Sequence, residues 1–257
     1  MTDTPAALPE GCRSLHLAEV DSTNAEGLRR VLVGERGPLW IRADRQTAGR
    51  GRSGRAWSSH SGNLFASCVT ALSCQPSRAG QLSLVAGVAA IDAIHRAGAG
   101  PNLRLKWPND ILVDTAKLGG ILVESSSRPP QPGIVAVIGI GLNLVSAPDN
   151  LGRSATFLSR HGLVLSPDEA LCFLAHTMSD WIKTWDNGEG FAQVREAWLA
   201  RAGAIGEPLT VNAAQGPVSG TFAGLDDYGA LLVDDAEGRQ LSFAFGDVTL
   251  PPKDANA

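Results

Sequence analysis

The stretch KWPNDILVDTAKLGGILVE, residues 106–124, is the strongest indication of the fold. Two apolar, β-forming runs, LRLKW and ILVD, are separated by Pro108 and Asn109, which are typical of a tight turn. A third run, LGGILVES, follows shortly after. Lys106 therefore ends one predicted strand and Lys117 opens another, and strand ends of this kind often carry the polar residues of a site.

The glycine and polar residues of this stretch each allow two interpretations. Gly119 and Gly120 contribute no packing inside a strand, so they indicate a bulge or a close approach of the backbone to a ligand. Asn109 and Asp110 can belong to a binding site, or they can simply cap the turn with their side chains. The residues alone leave these alternatives open.

The segments on both sides predict an α+β domain followed by a small β domain. Ser166, Pro167 and Glu169 form the pattern of a capping box at the start of a helix, which Gly188 is predicted to end. Further strands are predicted at PLWIRA, NLFASCVTAL and GIVAVIGIGLNLV, and the last is apolar enough to be interior. Five short β-like runs between residues 207 and 250 indicate a small barrel. The other predicted helices start at Asp21 or Ser22, extend from Ser77 to Gly98, and cover FAQVREAWLARAG.

The composition limits the class of protein. The chain has 257 residues, 44% of them hydrophobic, and 22 Lys and Arg against 26 Asp and Glu leave a net charge of −4. Such a chain is globular, and its charge argues against a dedicated nucleic-acid binder, which usually has a basic excess. No apolar run reaches about 18 residues, so we predict no membrane span. The N-terminus lacks the pattern of a signal peptide.

The spacing of cysteine and histidine excludes two further classes. The 4 cysteines form no C-x-x-C pair, which predicts reduced thiols in a cytoplasmic protein. The 5 histidines show no metal-ligand spacing, so we predict no metal bound by the protein itself.

The segment GRGRSGRAW, residues 49–57, raises the question of which anion it holds. Its glycines fit the dinucleotide pattern G-x-G-x-x-G, but turn-forming residues follow, and no Asp or Glu occurs from Arg45 to Ile91. A dinucleotide site is therefore rejected, as is a Walker-type phosphate loop, which needs G-K-[ST]. A solvated flexible loop and a disordered RNA-binding segment are alternatives. Arginine forks and turned backbone N–H groups favour a carboxylate or phosphate site.

Three further features allow both a binding and a structural interpretation. DSTN, residues 21–24, offers two hydroxyls and an amide, or an ordinary helix cap. Trp57 can stack on a purine or belong to the core. Asn143, at the end of an apolar strand, can bind a ligand or cap a turn.

Taken together, the motifs DSTN, QTAGRGRSGRAW, KWPNDILV, KLGGILVE and GIGLNL resemble the biotin–protein ligase family, in its order and at its approximate spacing. The resemblance covers the chain from about residue 14 onward. It implies a mixed central sheet flanked by helices, as in class II synthetases, over residues 12–205. A small SH3-like β-barrel domain is implied for residues 206–257, and residues 1–11 are expected to be a disordered tail.

The resemblance implies a biotin–[acetyl-CoA-carboxylase] ligase. Biotin and ATP, the latter with Mg²⁺, would form biotinyl-5′-AMP and pyrophosphate, and a lysine of a biotin carboxyl carrier domain would then attack the adenylate. The expected enzyme is cytoplasmic, with no membrane or nucleic-acid partner, and a homodimer is among the states that the resemblance allows. Some family members carry an N-terminal helix-turn-helix domain. The 20 residues before DSTN are too few for that domain, so the monofunctional form is expected.

The resemblance also implies roles for individual residues. The implied catalytic residues are Lys117, Arg52 and Asp110. The implied biotin-binding residues are Ser22, Thr23, Asn24, Gln46, Gly49, Arg50, Gly51, Arg52, Lys117, Gly119 and Gly120. The implied ATP-binding residues are Arg52, Arg55, Trp57, Lys106, Asn109 and Asn143.

Elementary chemistry agrees with these roles. A ureido ring needs donors and acceptors in fixed positions, which hydroxyl and amide side chains supply. A carboxylate that attacks a phosphate meets charge repulsion, which fixed cations offset. Asp110 is a candidate base for the accepting lysine, but the ordinary pKa of an aspartate is low, and positive surroundings could instead depress the pKa of the lysine. A lipoate or octanoate ligase is the nearest alternative enzyme, and an arginine-loop nucleic-acid binder is the non-enzymatic one.

Overall fold

The computed structural model describes residues 7–98, 100–127, 132–148, 154–213 and 215–251, which form two β-sheets and four α-helices. The strands of the first sheet are β1 Arg13–Val20, β2 Leu39–Gln46, β3 Leu64–Leu72, β4 Leu103–Lys106, β5 Asp110–Val113, β6 Ala116–Ser126 and β7 Ile134–Leu142. The helices are α1 Thr23–Leu32, α2 Gln81–Ala97, α3 Pro167–Trp185 and α4 Phe191–Leu199. The second sheet contains β8 Pro208–Ala213, β9 Gly216–Leu225, β10 Leu231–Asp234, β11 Gln240–Phe243 and β12 Asp247–Thr249.

The first sheet is mixed. Its 7 strands lie in the order β1-β2-β3-β7-β6-β5-β4. β1 runs parallel to β2, and every other neighbouring pair is antiparallel. Because helices cover both faces, the prediction of a mixed sheet flanked by helices is confirmed.

Each face of this sheet has its own apolar core, because side chains alternate along a strand. On β7, Ala136 and Ile138 face the larger core, which α2, α3 and α4 cover. Val135 and Val137 point the other way, into a smaller core that α1 covers. Most residues of α2 are buried, since this helix lies between the sheet and α3, and its almost uniformly apolar sequence is typical of that position.

Beyond the first turn of α1, the second face of the sheet is bare. On β7 the two valines of the smaller core are followed, at the same alternate spacing, by Gly139 and Gly141. A Cβ at Gly139 would overlap the amide of Asn24, and one at Gly141 would lie 2.6 Å from the ring of Trp57. The two glycines therefore let both side chains approach the strand and leave a depression on the sheet.

The N-terminal segment differs from the predicted tail. Residues 1–6 lie outside the described residues, but Leu8 packs against the larger core and the carbonyl of Ala7 accepts a hydrogen bond from His176 Nε2 at 2.9 Å. β1 follows, a strand that the sequence patterns above do not predict. It lies at the edge of the sheet, where only Leu15 and Leu17 contribute to a core, so its alternation is weak.

Helix ends agree with the predictions at three of five positions. Ser22 caps α1, Gly98 follows the last residue of α2, and Ser166 caps α3. The predicted cap Ser77 is wrong: it lies in the 3₁₀ turn Pro76–Gly80, and α2 begins after it with no side-chain cap. α3 ends at Trp185 and not at the predicted Gly188, because Asp186 turns left-handed there. No helix in the described part of the chain is long and apolar enough to cross a membrane.

The capping box of α3 yields a stability prediction. Ser166 Oγ accepts from the backbone N–H of Glu169 at 3.2 Å, and the Glu169 carboxylate accepts from the Ser166 backbone at 2.8 Å. Ser166→Ala removes one of these bonds and should lower the free energy of unfolding by about 1 kcal/mol, measured by urea unfolding. Glu169→Gln keeps an acceptor and should lose less. An unchanged midpoint for Ser166→Ala would show that the box does not stabilise this helix.

The second sheet confirms the five predicted C-terminal strands. Its order is β11-β10-β9-β8-β12, and all pairs are antiparallel. Apolar residues of this sheet, including Leu209 and Phe222, belong to the same buried cluster as the helical side of the first sheet. Arg104 on β4 also pairs with Glu207. The small β domain is thus packed against the β4 edge of the first sheet.

Candidate functional site

An open cleft lies on the bare face of the first sheet and encloses about 630 Å³, part of which is open solvent. Its lining combines apolar residues with convergent polar groups, which is typical of small-molecule sites. The cleft floor is formed by residues of β3, β6 and β7, and its walls by the start of α1, the arginine loop (residues 49–57) and the β4–β5 turn. The sequence-predicted residues that line it are Ser22, Thr23, Asn24, Gln46, Arg50, Gly51, Arg52, Arg55, Trp57, Asn109, Asp110, Lys117 and Gly120.

One end of the cleft is a buried network of hydroxyl and amide groups. The backbone N–H of Thr23 donates to Gln46 Oε1 at 2.9 Å, and the Thr23 hydroxyl lies 3.2 Å from the same oxygen. Asn24 Nδ2 donates to the carbonyl of Leu122 at 3.1 Å and to Glu124 at 2.9 Å. Because each group is held by another, the donors and acceptors of this end are fixed in position before a ligand is considered.

The sequence patterns did not identify two members of this network, Ser67 and Glu124. Ser67 Oγ lies 2.7 Å from both Thr23 Oγ1 and Asn24 Oδ1 and is fully buried. Glu124 links Asn24 to Arg50, whose Nη2 lies 3.4 Å from the carboxylate. Ser67 was within a predicted strand and Glu124 at the end of the KLGGILVE motif. The alternation of side chains along a strand could have indicated them, since a lone polar residue in an apolar strand faces either water or a site.

The arginine loop forms a small, hydrogen-bonded hairpin. Arg50 and Ala56 make an antiparallel bridge, and the N–H of Gly51 donates to the carbonyl of Arg55 at 2.7 Å. The tip is a 3₁₀ turn, Arg52–Gly54, in which Ser53 adopts the left-handed conformation with φ 54°. The next regular element is β3, so the loop opens no helix and the rejection of a dinucleotide site is consistent with the structure.

The loop arginines are held by carboxylates from distant parts of the chain. Arg52 Nη1 donates to the carbonyl of Gly246 at 3.1 Å and lies 3.3 Å from Asp247 Oδ1. Arg55 Nη2 lies 2.9 Å from the same carboxylate. Asp247 belongs to the second sheet, so the small β domain supports the wall of the cleft that the arginine loop forms.

Two lysines share one buried carboxylate at the other wall. Asp110 forms ion pairs with Lys117 and with Lys106, whose Nζ lies 2.9 Å away. Burial alone would raise the pKa of Asp110, but the two ammonium groups outweigh burial and hold this pKa below its ordinary value. Asp110 is therefore ionised at neutral pH and is a weak proton acceptor. Its geometry suits the positioning of the two lysines.

The ion pairs of Asp110 predict a pH dependence of stability. A lowered pKa stabilises the folded state fully above the unfolded-state value, 3.8, and this stabilisation is lost as the pH falls through the lower folded-state pKa. Asp110→Asn removes the carboxylate that Lys117 and Lys106 share and should cost about 3 kcal/mol at pH 7. The deficit should shrink below pH 3.8, measured by urea unfolding at several pH values. Asp227→Asn, an exposed carboxylate, is the control, and a deficit independent of pH would contradict the assignment.

Trp57 and Lys117 separate the cleft from a second cavity. Lys117 Nζ lies 5.4 Å from the centroid of the Trp57 ring, close enough for a cation–π contact. Beyond them is a second cavity of about 340 Å³, open solvent included, that Asn143, Pro148 and Ala155 also line. Asn143 Nδ2 donates to the carbonyl of Thr156 at 3.0 Å, so this amide also holds the adjoining chain. In the family that the sequence resembles, the stretch SAPDNLGRSATFLSRHG after Asn143 corresponds to a loop that folds over adenine, and its residues 149–153 lie outside the described residues.

Four predicted residues do not line the cleft: Gly49, Lys106, Gly119 and Asn143. Lys106 acts through Asp110 and donates to the carbonyl of Val248 at 2.8 Å, and Asn143 lies in the second cavity. Gly119 borders the predicted bulge, where the register between β5 and β6 shifts. The residues of the lining that sequence reasoning missed are mostly apolar or glycine, namely Ala56, Phe65, Ala66, Ile121, Leu122, Gly139, Ile140 and Gly141.

The described residues contain no group of three or more His, Cys, Asp and Glu side chains that could hold a metal ion. The three carboxylates at the cleft, Asp110, Glu124 and Asp247, are each already engaged by arginine or lysine. Arginine and lysine side chains therefore outnumber the carboxylates around the cleft, which suits an anionic ligand.

Comparisons with known proteins agree with this geometry. Residues 21–143 match the model of the "Biotin/lipoate A/B protein ligase family", and residues 204–250 match the "Biotin protein ligase C terminal domain". The chain is 40% identical over 232 residues to a biotin–[acetyl-CoA-carboxylase] ligase of Paracoccus denitrificans, covering 88% of this chain and 95% of that protein. It is 34% identical over 209 residues to the bifunctional ligase/repressor BirA of Bacillus subtilis, covering 76% of this chain and 61% of BirA.

A solved structure shows the same fold. The biotin protein ligase of Aquifex aeolicus, in complex with biotin and ATP, superposes with a TM-score of 0.75 at 27% identity. The superposition covers 92% of this chain and 97% of that one. The order of motifs, the arrangement of the cleft, both family models and the identity over nearly all of a relative lead to one conclusion: the chain belongs to the biotin protein ligase family.

Proposed function

We propose that this protein attaches biotin to a lysine of a carrier domain in two steps that share one active site. Biotin and ATP first form biotinyl-5′-AMP and pyrophosphate. The ε-amine of the carrier lysine then attacks the acyl carbon, forms an amide and releases AMP. The observation that carries this proposal is the cleft itself, which joins a fixed hydroxyl and amide network to a cluster of arginines and lysines on one face of the sheet.

The hydroxyl and amide end of the cleft suits the ureido ring of biotin. That ring presents one carbonyl acceptor and two N–H donors, which need partners in fixed positions. Thr23, Asn24 and Gln46 offer such partners, and Ser67 and Glu124 hold them in place. Phe65 and the bare surface at Gly139 offer apolar contact to the thioether ring.

The cationic end suits the activation of the biotin carboxylate. Attack of this carboxylate on the α-phosphate of ATP brings two anions together, and the transition state spreads negative charge over the phosphate oxygens. Lys117 and Arg52 line the cleft next to the polar end, so their charges can offset this repulsion. Asp110 and Trp57 keep the Lys117 ammonium in place.

The second cavity suits the adenosine part of the nucleotide. It adjoins the cleft across Trp57 and Lys117, so a ligand that spans both would place its phosphate beside the Lys117 ammonium. The indole face of Trp57 can stack on a purine. We assign ATP binding to this side of the site, with Asn143 at its far wall.

The arginine loop serves as a cover over the reacting atoms. An acyl adenylate is a mixed anhydride that water hydrolyses, so retention of the intermediate requires exclusion of water. The loop hairpin forms one wall of the cleft, and Arg50, Arg52 and Arg55 all belong to its lining. Movement of this loop would release pyrophosphate and admit the carrier lysine.

Mg²⁺ is expected to arrive with ATP. The carboxylates of the cleft are engaged by cations, so the protein offers no dedicated magnesium cage among its described residues. The ion prefers phosphate oxygens and water, which the nucleotide complex supplies. We assign no step to a protein-bound metal.

The acceptor is proposed to be the carrier domain of a biotin-dependent carboxylase such as acetyl-CoA carboxylase. Cys12, Cys68, Cys74 and Cys172 are free thiols, which fits a reducing compartment such as the cytoplasm. A homodimer and the absence of a nucleic-acid partner stay predictions.

An exchange assay tests the function. Purified protein should catalyse exchange of pyrophosphate into ATP only when biotin is present, and should biotinylate an isolated carrier domain, detected by mass spectrometry. Lipoate and octanoate serve as matched acids, since the first family model includes lipoate ligases. Exchange with lipoate but not with biotin would replace the proposal with lipoylation, and exchange with neither acid would reject both.

A further inference from the structure

The second sheet reaches across to the arginine loop through one short segment, Gly246–Val248. The carbonyl of Gly246 accepts from Arg52 Nη1 at 3.1 Å, and the Asp247 carboxylate contacts Arg52 at 3.3 Å and Arg55 at 2.9 Å. The carbonyl of Val248 accepts from Lys106 Nζ at 2.8 Å. Three cationic side chains from two walls of the site therefore converge on three consecutive residues of the other domain.

The segment is itself held in place. Asp247 begins β12, which pairs with β8, and the Asn212 side chain donates to the Asp247 carbonyl at 3.3 Å. Val248 is buried in the core that both domains share. The carboxylate of Asp247 is thus presented from a fixed strand and not from a mobile surface loop.

The tip of the arginine loop, in contrast, has few contacts, whereas its base is held by Trp57 against Gly141 and by the Arg50–Glu124 ion pair. Its hairpin is closed by the backbone bonds of Gly51 to Arg55 and of Trp57 to Gly49, and Ser53 and Gly54 at its tip are exposed. Glycine-rich backbone loses much conformational freedom when it is ordered, so such a loop opens readily unless something else holds it. Asp247 contacts the two arginines on either side of the tip.

We propose that Asp247 is a positioning residue that holds Arg52 and Arg55, and with them the arginine loop, over the cleft. The small β domain then acts as the fixed support against which the loop closes. This role rests on the proposed function for its kinetic consequence, but the closing of the loop by Asp247 does not depend on which substrate is used.

Loss of a simple surface ion pair would have a smaller effect on the opening of the loop. Isolated exposed pairs contribute little to stability. Here one carboxylate holds two guanidinium groups, and Arg52 is 24% exposed at its side chain. Loss of the carboxylate would leave these two like charges facing each other, which favours an open loop.

Limited proteolysis without substrates tests the contact directly. Trypsin cleaves after arginine, so Arg50, Arg52 and Arg55 report opening of the loop, with cleavage sites identified by mass spectrometry. Asp247→Asn should raise the rate of cleavage at these arginines about three- to fivefold over the wild type. Asp247→Glu should restore slow cleavage, and Asp227→Asn, an exposed carboxylate of the same domain, should behave as the wild type.

The kinetic arm uses the same variants in the pyrophosphate exchange assay. If the closed loop is less populated in Asp247→Asn, KM should rise by a similar factor while kcat stays near the wild-type value, because bound substrate still closes the loop. Unchanged cleavage in Asp247→Asn, with a melting temperature equal to the wild type, would overturn the proposal. Equal cleavage in Asp247→Asn and Asp247→Glu would also overturn it. Because proteolysis needs no substrate, it decides on Asp247 even if the exchange assay rejects the proposed function.

Discussion

Replacing Lys117 with alanine is expected to slow the formation of biotinyl-5′-AMP by about 100- to 1,000-fold, the range measured for loss of a single fixed charge-stabilising donor. The Lys117 ammonium lines the cleft between the hydroxyl and amide end and the second cavity, where the carboxylate and the α-phosphate would meet. It is buried and held by Asp110 and Trp57, so no solvent shell can take over its role. The measurement is the single-turnover rate of adenylate formation at saturating biotin and ATP.

The variant should still fold. Asp110 keeps its second ion pair, to Lys106 at 2.9 Å, so removal of Lys117 leaves no isolated buried carboxylate. Lys117→Met keeps the aliphatic stem against Trp57 and should show the same kinetic loss, which isolates the charge from the packing. Lys183→Ala, on the exposed side of α3, is the control. A Lys117→Met enzyme with a wild-type rate would remove this lysine from the chemical step.

Arg52→Ala is expected to release the adenylate roughly 10- to 100-fold faster than the wild type, the factor that corresponds to loss of hydrogen bonds to a charged group. Arg52 reaches the cleft lining and also ties the loop to Gly246 and Asp247, so its removal weakens both the cover and its anchor. The free adenylate should then label exposed lysines of bystander proteins. Release is measured by rapid filtration, and labelling by streptavidin detection on an unrelated protein.

The effect of Arg52→Ala should exceed that of Asp247→Asn, because the latter leaves the guanidinium in the cleft. Arg96→Ala is the matched control, since Arg96 pairs with Asp180 on the helical side of the molecule. Tight retention of the adenylate by Arg52→Ala, with labelling confined to the carrier lysine, would refute the covering role of the loop.

Local patterns predicted much of this molecule. The capping box at Ser166, the apolar strand that becomes β7, and the five short C-terminal strands each follow from neighbouring residues, and each is confirmed. β1 was missed because an edge strand buries little, so its alternation is weak. The cap at Ser77 was wrong because packing against the sheet, and not a capping side chain, sets where α2 begins.

The site residues likewise divide into those that the local sequence predicted and those that it did not. Thr23, Lys117 and the loop arginines belong to motifs whose residue types indicate a binding site. In the structure these residues line one cleft. Ser67, Glu124 and Asp247 carry a weaker signal. Each is a polar residue within a strand, and its role depends on which residue lies opposite in space.

The amino-acid order alone was sufficient for the motifs, most of the secondary structure and the family, because these depend on residues close together in the chain. The folded structure decided which charges meet. Asp247 reaches Arg52 across 195 positions of sequence, and Glu124 reaches Asn24 across 100. Such contacts exist only once two domains, or a helix and a strand, have packed, and packing depends on the whole apolar core and not on any local pattern.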